Sequence, residues 1–295
     1  MNEKPKVSIG FPIYNEEKLL EDKINALLTQ TFSDFELIIS DNGSTDDTEK
    51  ICREFANKDS RIKYFRHEKN NGQYWNFQFV LDKAIGDYFL WTAADDDFVP
   101  SFIERCVKIL DVNEKVVGVF SKVKVKERQN RKFSRLNEKL EKIGISFRPM
   151  KLYSISGTYE EKVRSYFKEM PWPLMWSVFR RKEFQKSAIV DSLGYDALCA
   201  LNTMKFGNIH CIDEELFFGN VTGSQSAGMI TIARMINKGI LGRIFPYFPL
   251  SKHLFHILGL KLFLKNFHYV IRINLDGSFL IFIDILEKIR RKISS

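Results

Sequence analysis

The sequence predicts an α/β fold, a mostly parallel sheet flanked by helices, followed by a C-terminal helical extension. Three observations predict it. Up to residue 120, short apolar runs of strand length alternate with helical stripes. One run, Tyr88 to Trp91, is apolar throughout and leads through two small residues into Asp95-Asp96-Asp97. A strand buried on both faces of a parallel sheet reads that way, and ligands of such sheets bind at the carboxyl ends of strands. Finally, the net charge of +8 lies wholly beyond residue 225, where eleven Lys/Arg meet three Asp/Glu.

The chain of 295 residues is long enough for one large domain, or a large and a small one. Hydrophobic content of 44% and charge of 28% exclude a disordered chain. Cys52, Cys106, Cys199 and Cys211 have neither CxxC nor metal-ligand spacing, so they read as reduced core residues of a cytosolic protein. The opening MNEKPK has no apolar h-region and predicts no signal peptide.

In order, Val7 to Pro12 is a first strand. Asn15 is placed to cap a helix with Glu16 and Glu17 in its first turn and Leu19, Leu20, Ile24, Leu27 and Leu28 as its apolar stripe. Phe35 to Ser40 is a second strand. It enters Asp41-Asn42-Gly43-Ser44-Thr45-Asp46-Asp47-Thr48, a turn with Asn-Gly at its tip, and then a helix through Phe55. Asp46 and Asp47 read as helix-start residues. Ile62 to Phe65 is a third strand, Trp75 to Ala84 a helix, and Gly86 precedes the strand Tyr88 to Trp91. A helix Ser101 to Leu110 and a strand Val116 to Phe120 follow. Residues 122–142 hold nine Lys/Arg and three Asp/Glu without interleaved aromatics, which predicts an exposed, mobile insertion and no nucleic-acid partner. Later, Gly194 to Lys205 reads as a helix, Ile209 to Ile212 as an edge strand and Leu216 to Phe218 as another.

Three adjacent carboxylates repel one another, and partial burial strips their hydration. A cation sharing the site relieves both costs, and a hard divalent ion with oxygen ligands is the usual one. The alternative is a solvated acidic turn before the helix that Pro100 introduces.

Val7-Ser8-Ile9 with Pro12-Ile13-Tyr14-Asn15-Glu16, then Ile38 to Thr48, resembles the opening of the family-2 glycosyltransferases. Asn70-Asn71-Gly72, Trp75-Asn76, Ala84-Ile85-Gly86 and Asp95-Asp96 continue the likeness in order. It is strong over residues 5–110, thins towards 225 and does not include the tail. It implies a Rossmann-like GT-A domain over 1–225, with a nucleotide-sugar-binding half (1–110) and an acceptor half (111–225). Residues 226–295 are then a basic, apolar helical extension.

The resemblance implies inverting, metal-dependent hexosyl transfer from a nucleotide-diphosphate sugar to a hydroxyl. The donor would meet Pro12, Tyr14, Glu16, Asp41, Asn71, Asn76 and Asp95. A ring face at Tyr14 suits stacking on a base, and a carboxylate at Asp41 suits a uracil imide, which favours UDP-sugars; otherwise Asp41 is an Asx-turn residue. Asp96 and Asp97 would hold Mg2+ or Mn2+, which compensates the charge of a diphosphate leaving group. The chain departs from the family pattern at Ala93, where many members have Asp. The attacking hydroxyl must lose a proton, and Asp196, before Lys205-Phe206-Gly207-Asn208-Ile209, matches the family's base. Tyr195 stands where the family usually has Glu, and Asp191 is the nearest competitor. Trp172 and Trp176 read as an acceptor platform or as core.

Residues 226–275 carry seven Lys/Arg and no acid among Ile, Leu and Phe. No run reaches membrane-spanning length, so the tail reads either as an interfacial helix on an anionic membrane or as a helical cap on the main domain. The former implies a cytoplasmic enzyme, peripheral on the inner face of the cell membrane, with a glycan or lipid-linked acceptor and a role in cell-surface polysaccharide or glycolipid synthesis. A nucleotidyltransferase is the competing enzyme, but Ser8 to Glu17 lacks a Gly-rich basic triphosphate loop. A catalytically inactive nucleotide-sugar-binding module is the competing binding protein.

Overall fold

A computed structural model describes residues 4–125, 151–187, 193–219 and 240–293. Strand β1 (Val7–Ile13) pairs in parallel with β2 (Phe35–Asp41) and β4 (Tyr88–Trp91), and β2 pairs in parallel with β3 (Ile62–Arg66). On the other side of β4 the sheet continues through β7 (Val178–Arg180), β6 (Val116–Val125), β8 (Asn208–Gly219) and β5 (Asp97–Phe98). Among the described residues the order is β3-β2-β1-β4-β7-β6-β8-β5. Strand β7 is antiparallel to both its neighbours, and β5 is antiparallel to β8.

Alternate residues of each strand feed opposite core layers, as the two-residue period requires. Val7, Ile9, Phe11, Tyr88 and Leu90 pack in one layer with α1 (Glu17–Leu28), α2 (Thr48–Lys58) and α4 (Phe102–Val112). Phe89 and Trp91 pack in the other, with α3 (Gln73–Lys83), α5 (Tyr159–Glu169), α6 (Arg181–Ser187) and α7 (Tyr195–Thr203).

The expected elements recur with instructive differences. Helix α1 begins after Glu16, and Asn15 adopts a left-handed φ of 55° instead of capping it. Asp97 belongs to a strand, because β8 offers it a ladder partner in Phe218. Ile209 to Phe218 is one continuous inner strand, not an edge strand and a second piece. Strand β6 runs on to Val125 beside β8, so Lys122 and Lys124 are ladder residues; the rest of the basic insertion lies outside the described residues. Helix α5 was not foreseen, although Thr158 and Glu161 form a capping box at its start.

The tail forms α8 (Ile240–Ile244), α9 (Phe248–Lys265) and α10 (Phe267–Ile293). Leu250, Leu254, Leu258, Val270 and Ile273 are buried in the same core layer as Trp91 and Leu198. The first part of the tail therefore packs as a cap on the sheet domain. Among the described residues no helix is long and apolar enough to cross a membrane.

Candidate active site

The carboxyl ends of β1 and β2 open into two loops that tie each other down. The Asn15 N–H donates to Ser44 Oγ (2.9 Å), and the Thr45 N–H donates back to Asn15 Oδ1 (2.8 Å). The Glu16 N–H donates to Thr48 Oγ1 (2.9 Å). Asp46 accepts from the Glu17 N–H (3.2 Å) and the Thr48 N–H (3.1 Å), so one carboxylate serves the starts of both α1 and α2. Tyr14, at the mouth of this pair, is 41% exposed, and its ring is available to a ligand.

Asp41 is fully buried at the end of β2. Its Oδ1 accepts from the Ser44 N–H (2.8 Å) and its Oδ2 from the Tyr64 hydroxyl (2.8 Å), with the Arg66 guanidinium 3.6 Å away. Burial, and then the hydrogen bond to Asp41, push the Tyr64 phenol up, which keeps it a donor. Asn42 is buried beside it and holds the third loop: its amide donates to Asn70 Oδ1 (3.0 Å) and Gly72 O (3.1 Å) and accepts from the Asn71 N–H (3.0 Å). Gly43 (φ 77°) permits this approach, since a Cβ there would lie 2.8 Å from the Lys69 carbonyl carbon.

Asn76 is spent inside the protein. Its amide donates to Ile13 O (3.3 Å) and Ser40 O (3.0 Å), and its Oδ1 accepts from Ser40 Oγ (2.5 Å). It splices the ends of β1 and β2 to α3, which makes it a brace behind these loops. With its one proton given to Asn76, Ser40 Oγ accepts from the His67 Nε2–H (2.8 Å). Asn71 remains exposed on the loop surface.

The acidic turn leaves β4 beside these loops. Asp95 is half-buried, and the Glu16 carboxyl is pushed up by burial and then by the charges of Asp95 and Asp46. Asp96 is 4% exposed, and Asp97 enters β5. Beneath the turn lies Lys23 of α1, buried, its ammonium donating to the Asp96 carbonyl and standing 5.1 Å from the centre of the Phe98 ring. The sequence reading missed this residue. Its signal was a lysine on the Leu20–Ile24–Leu27 face, where an unpaired charge would be costly. The Thr92 hydroxyl is buried at the head of the turn without a hydrogen-bond partner among the described residues.

Asp196 is the second residue of α7. Tyr195 packs against Tyr74, Phe77 and Trp91, with ring centroids 5.3, 5.6 and 6.5 Å away. Trp91 ends β4, so this aromatic contact brings the start of α7 next to the strand that delivers the acidic turn. Gly194, at φ 83°, sits against the tail: a Cβ there would lie 2.8 Å from Leu250 Cδ2. Asp191 lies outside the described residues. Trp176 packs on Phe217 (6.4 Å), which is a core contact.

Residues 8–170 match the family model for glycosyl transferase family 2, more than half of the chain. The chain belongs to this family. A Campylobacter jejuni relative named GalNAc(5)-diNAcBac-PP-undecaprenol beta-1,3-glucosyltransferase is 31% identical over 127 residues, 43% of this chain and 40% of that one. An uncharacterized Rickettsia conorii glycosyltransferase is 35% identical over 123 residues, 42% of this chain and 20% of its own. The chain thus spans less than half the length of these curated relatives. Among solved structures, this family member superposes on Staphylococcus aureus TarS 1-349 in complex with UDP-GlcNAc (TM-score 0.58, 17% identity, 85% of this chain and 73% of that one). It also superposes on the Pyrobaculum calidifontis mannosyltransferase PcManGT in complex with GDP-Man and Mn2+ (TM-score 0.59, 16% identity, 95% and 72%). At these identities the likeness establishes the GT-A fold.

Proposed function

We propose that this glycosyltransferase is inverting and moves a hexose from a nucleotide-diphosphate sugar, with UDP-sugars favoured, to a hydroxyl of a glycan or lipid-linked acceptor. The observation that carries the reading is the aromatic joint between Trp91 and Tyr195. It joins the start of α7, the helix that carries Asp196, to the strand that leads into Asp95, Asp96 and Asp97, which supports reading Asp196 as the proton acceptor for a donor bound at that turn.

In this reading Tyr14 stacks on the base and Pro12 shapes the strand end beneath it. Asp41 and Asn71 border the base and ribose, and reaching the buried Asp41 carboxylate requires the Tyr64 hydroxyl or the Arg66 guanidinium to yield its place. Glu16 and Asp95, whose charges repel, border the donor. Asn76 holds the loops from behind.

The acidic turn offers hard oxygen donors and an orphaned Thr92 hydroxyl, but among the described residues no three His, Cys, Asp or Glu side chains form a ready-made cage. That donor set fits Mg2+ or Mn2+ held by one or two carboxylates with substrate phosphates completing the shell. Asp96 and Asp97 would hold the ion, with Asp95 meeting the ribose or sugar of the donor. When bound, the ion neutralises charge on the leaving diphosphate. Asp196 takes the proton of the acceptor hydroxyl as its oxygen attacks the anomeric carbon opposite the leaving group. The carbon–oxygen bond to the diphosphate breaks with its electron pair going to the phosphate oxygen, and the configuration inverts.

UDP-GlcNAc and GDP-Man in the neighbouring structures, and the undecaprenol-linked acceptor in the C. jejuni relative's name, support a nucleotide-sugar donor and a lipid-linked acceptor. The basic tail supports attachment to the anionic inner face of the cell membrane and a role in cell-surface polysaccharide or glycolipid synthesis. The test is Asp196→Asn. It should retain nucleotide-sugar affinity by thermal shift and lose transfer; wild-type transfer rates would remove the base assignment. Asp95→Asn should lose the metal-dependent part of UDP binding, and unchanged metal dependence would dismiss the acidic turn.

A further inference from the structure

Helix α10 buries one side and leaves the other apolar. Val270, Ile273 and Gly277 face the protein, where a Cβ at Gly277 would lie 2.7 Å from Pro246. Ile271, Leu275, Phe282, Leu286 and Ile289 are 45–56% exposed. At 3.6 residues per turn these five fall within an arc of about 60°. Leu264, near the end of α9, is exposed as well. Single exposed leucines are ordinary, but a stripe along one helix marks a surface that is covered in use.

The charge of the tail selects the occupant. Residues 226–295 hold eleven Lys/Arg and three Asp/Glu, and no acid precedes Asp276. A second copy would oppose like charge with like. A nucleic acid would match the charge and leave the stripe in water. An anionic lipid surface answers both, with headgroups for the cations and an acyl boundary for the stripe. Since no described helix is long and apolar enough to cross, the fit is parallel to the surface.

We infer that α10 lies along an anionic bilayer with the Ile271–Ile289 stripe sunk into the headgroup–acyl boundary. This rests on the reading that the tail meets a membrane, and it replaces attraction by charge alone with apolar insertion. Because α9 abuts Gly194 through Leu250, a docked tail and the start of α7 form one packed unit.

The experiment compares the full chain with Leu275→Ser/Phe282→Ser in sedimentation with phosphatidylglycerol–phosphatidylcholine vesicles at low and high salt. Both positions are exposed, so the melting temperature should not change. Wild type should keep part of its binding at high salt, and the double variant should lose about tenfold or more at either salt. Phe282→Trp should show blue-shifted emission with vesicles and quenching by brominated acyl chains. Equal binding of the double variant, abolished by salt, would overturn insertion while leaving charge attraction standing. No wild-type binding at low salt would overturn the membrane reading itself. A concentration-dependent dimer lost in the double variant, without vesicle binding, would give the stripe to a second copy and refute the proposal.

Discussion

The loops that would receive the donor and the helix that carries Asp196 are held by opposite means. Asp41, Asn42, Asp46 and Asn76 bind these loops through directed hydrogen bonds to backbone groups. The start of α7 hangs on rings and methyl groups: Tyr195 among Tyr74, Phe77 and Trp91, and Gly194 against Leu250. Hydrogen bonds fix direction, which suits loops that must present amides and carboxylates to a fixed ligand. Apolar packing fixes distance and tolerates small rotations, which would suit a helix that meets an acceptor.

The largest break in this comparison should come from Leu250→Ala. The side chain is buried, and its loss should cost about 2–5 kcal/mol in denaturant unfolding. With Gly194 unsupported, turnover should fall at saturating donor while donor affinity stays near wild type. A fall in donor affinity alone would show that the two regions are not separable.

Asn76→Ala attacks the other region. It strands Ser40 Oγ and the Ile13 and Ser40 carbonyls and should cost about 1–3 kcal/mol. Here donor affinity should weaken. If instead only turnover changes, the brace does not serve the donor loops.

Lys23→Met sharpens the comparison at the acidic turn. Replacing the buried ammonium by an apolar chain of similar length strands the Asp96 carbonyl and should cost about 1–3 kcal/mol. Losing its bond to the Asp96 carbonyl frees the turn, so donor affinity in the presence of Mn2+ should fall by about tenfold, ~1.4 kcal/mol. An unaltered Mn2+ titration would reduce Lys23 to a core residue.

The smallest effect is a pH dependence at His67. Burial holds its imidazole below the usual range, against the pull of Asp41 and with the push of Arg66. The unfolded chain therefore takes up a proton near the ordinary histidine value while the folded protein does not. Stability should be complete above about pH 6.5 and decline as pH falls through and below it. His67→Gln should flatten that slope in urea titrations at pH 7 and pH 5, and an identical slope would assign the loss to other groups.

Much of the donor region was legible because its signals are local. Apolar runs gave β1 to β4, and Asn-Gly, Asp and Thr at set offsets gave the turns between strand and helix. Their partners were not legible. Asn15 was placed as a cap for its own helix but serves Thr45 in the next loop, and Asp46 serves both helices, because the strand ends that bring these loops together are adjacent only in the folded sheet. Asp97 looked like a turn residue until β8, over a hundred residues later, supplied its ladder partner.

The sequence by itself determined the family, the alternation of strand and helix, and the acidic turn at the end of an apolar strand, since each is written in contiguous residues. It also determined the tail's excess of positive charge. Only the tertiary structure decided that Lys23 lies under the acidic turn, that Tyr195 joins α7 to β4, and that Leu250 packs on Gly194. The physical reason is that burial and pairing depend on which surfaces meet. A lysine on an apolar face, a tyrosine in place of a glutamate and a glycine before a helix have no fixed meaning until their neighbours arrive from other parts of the chain.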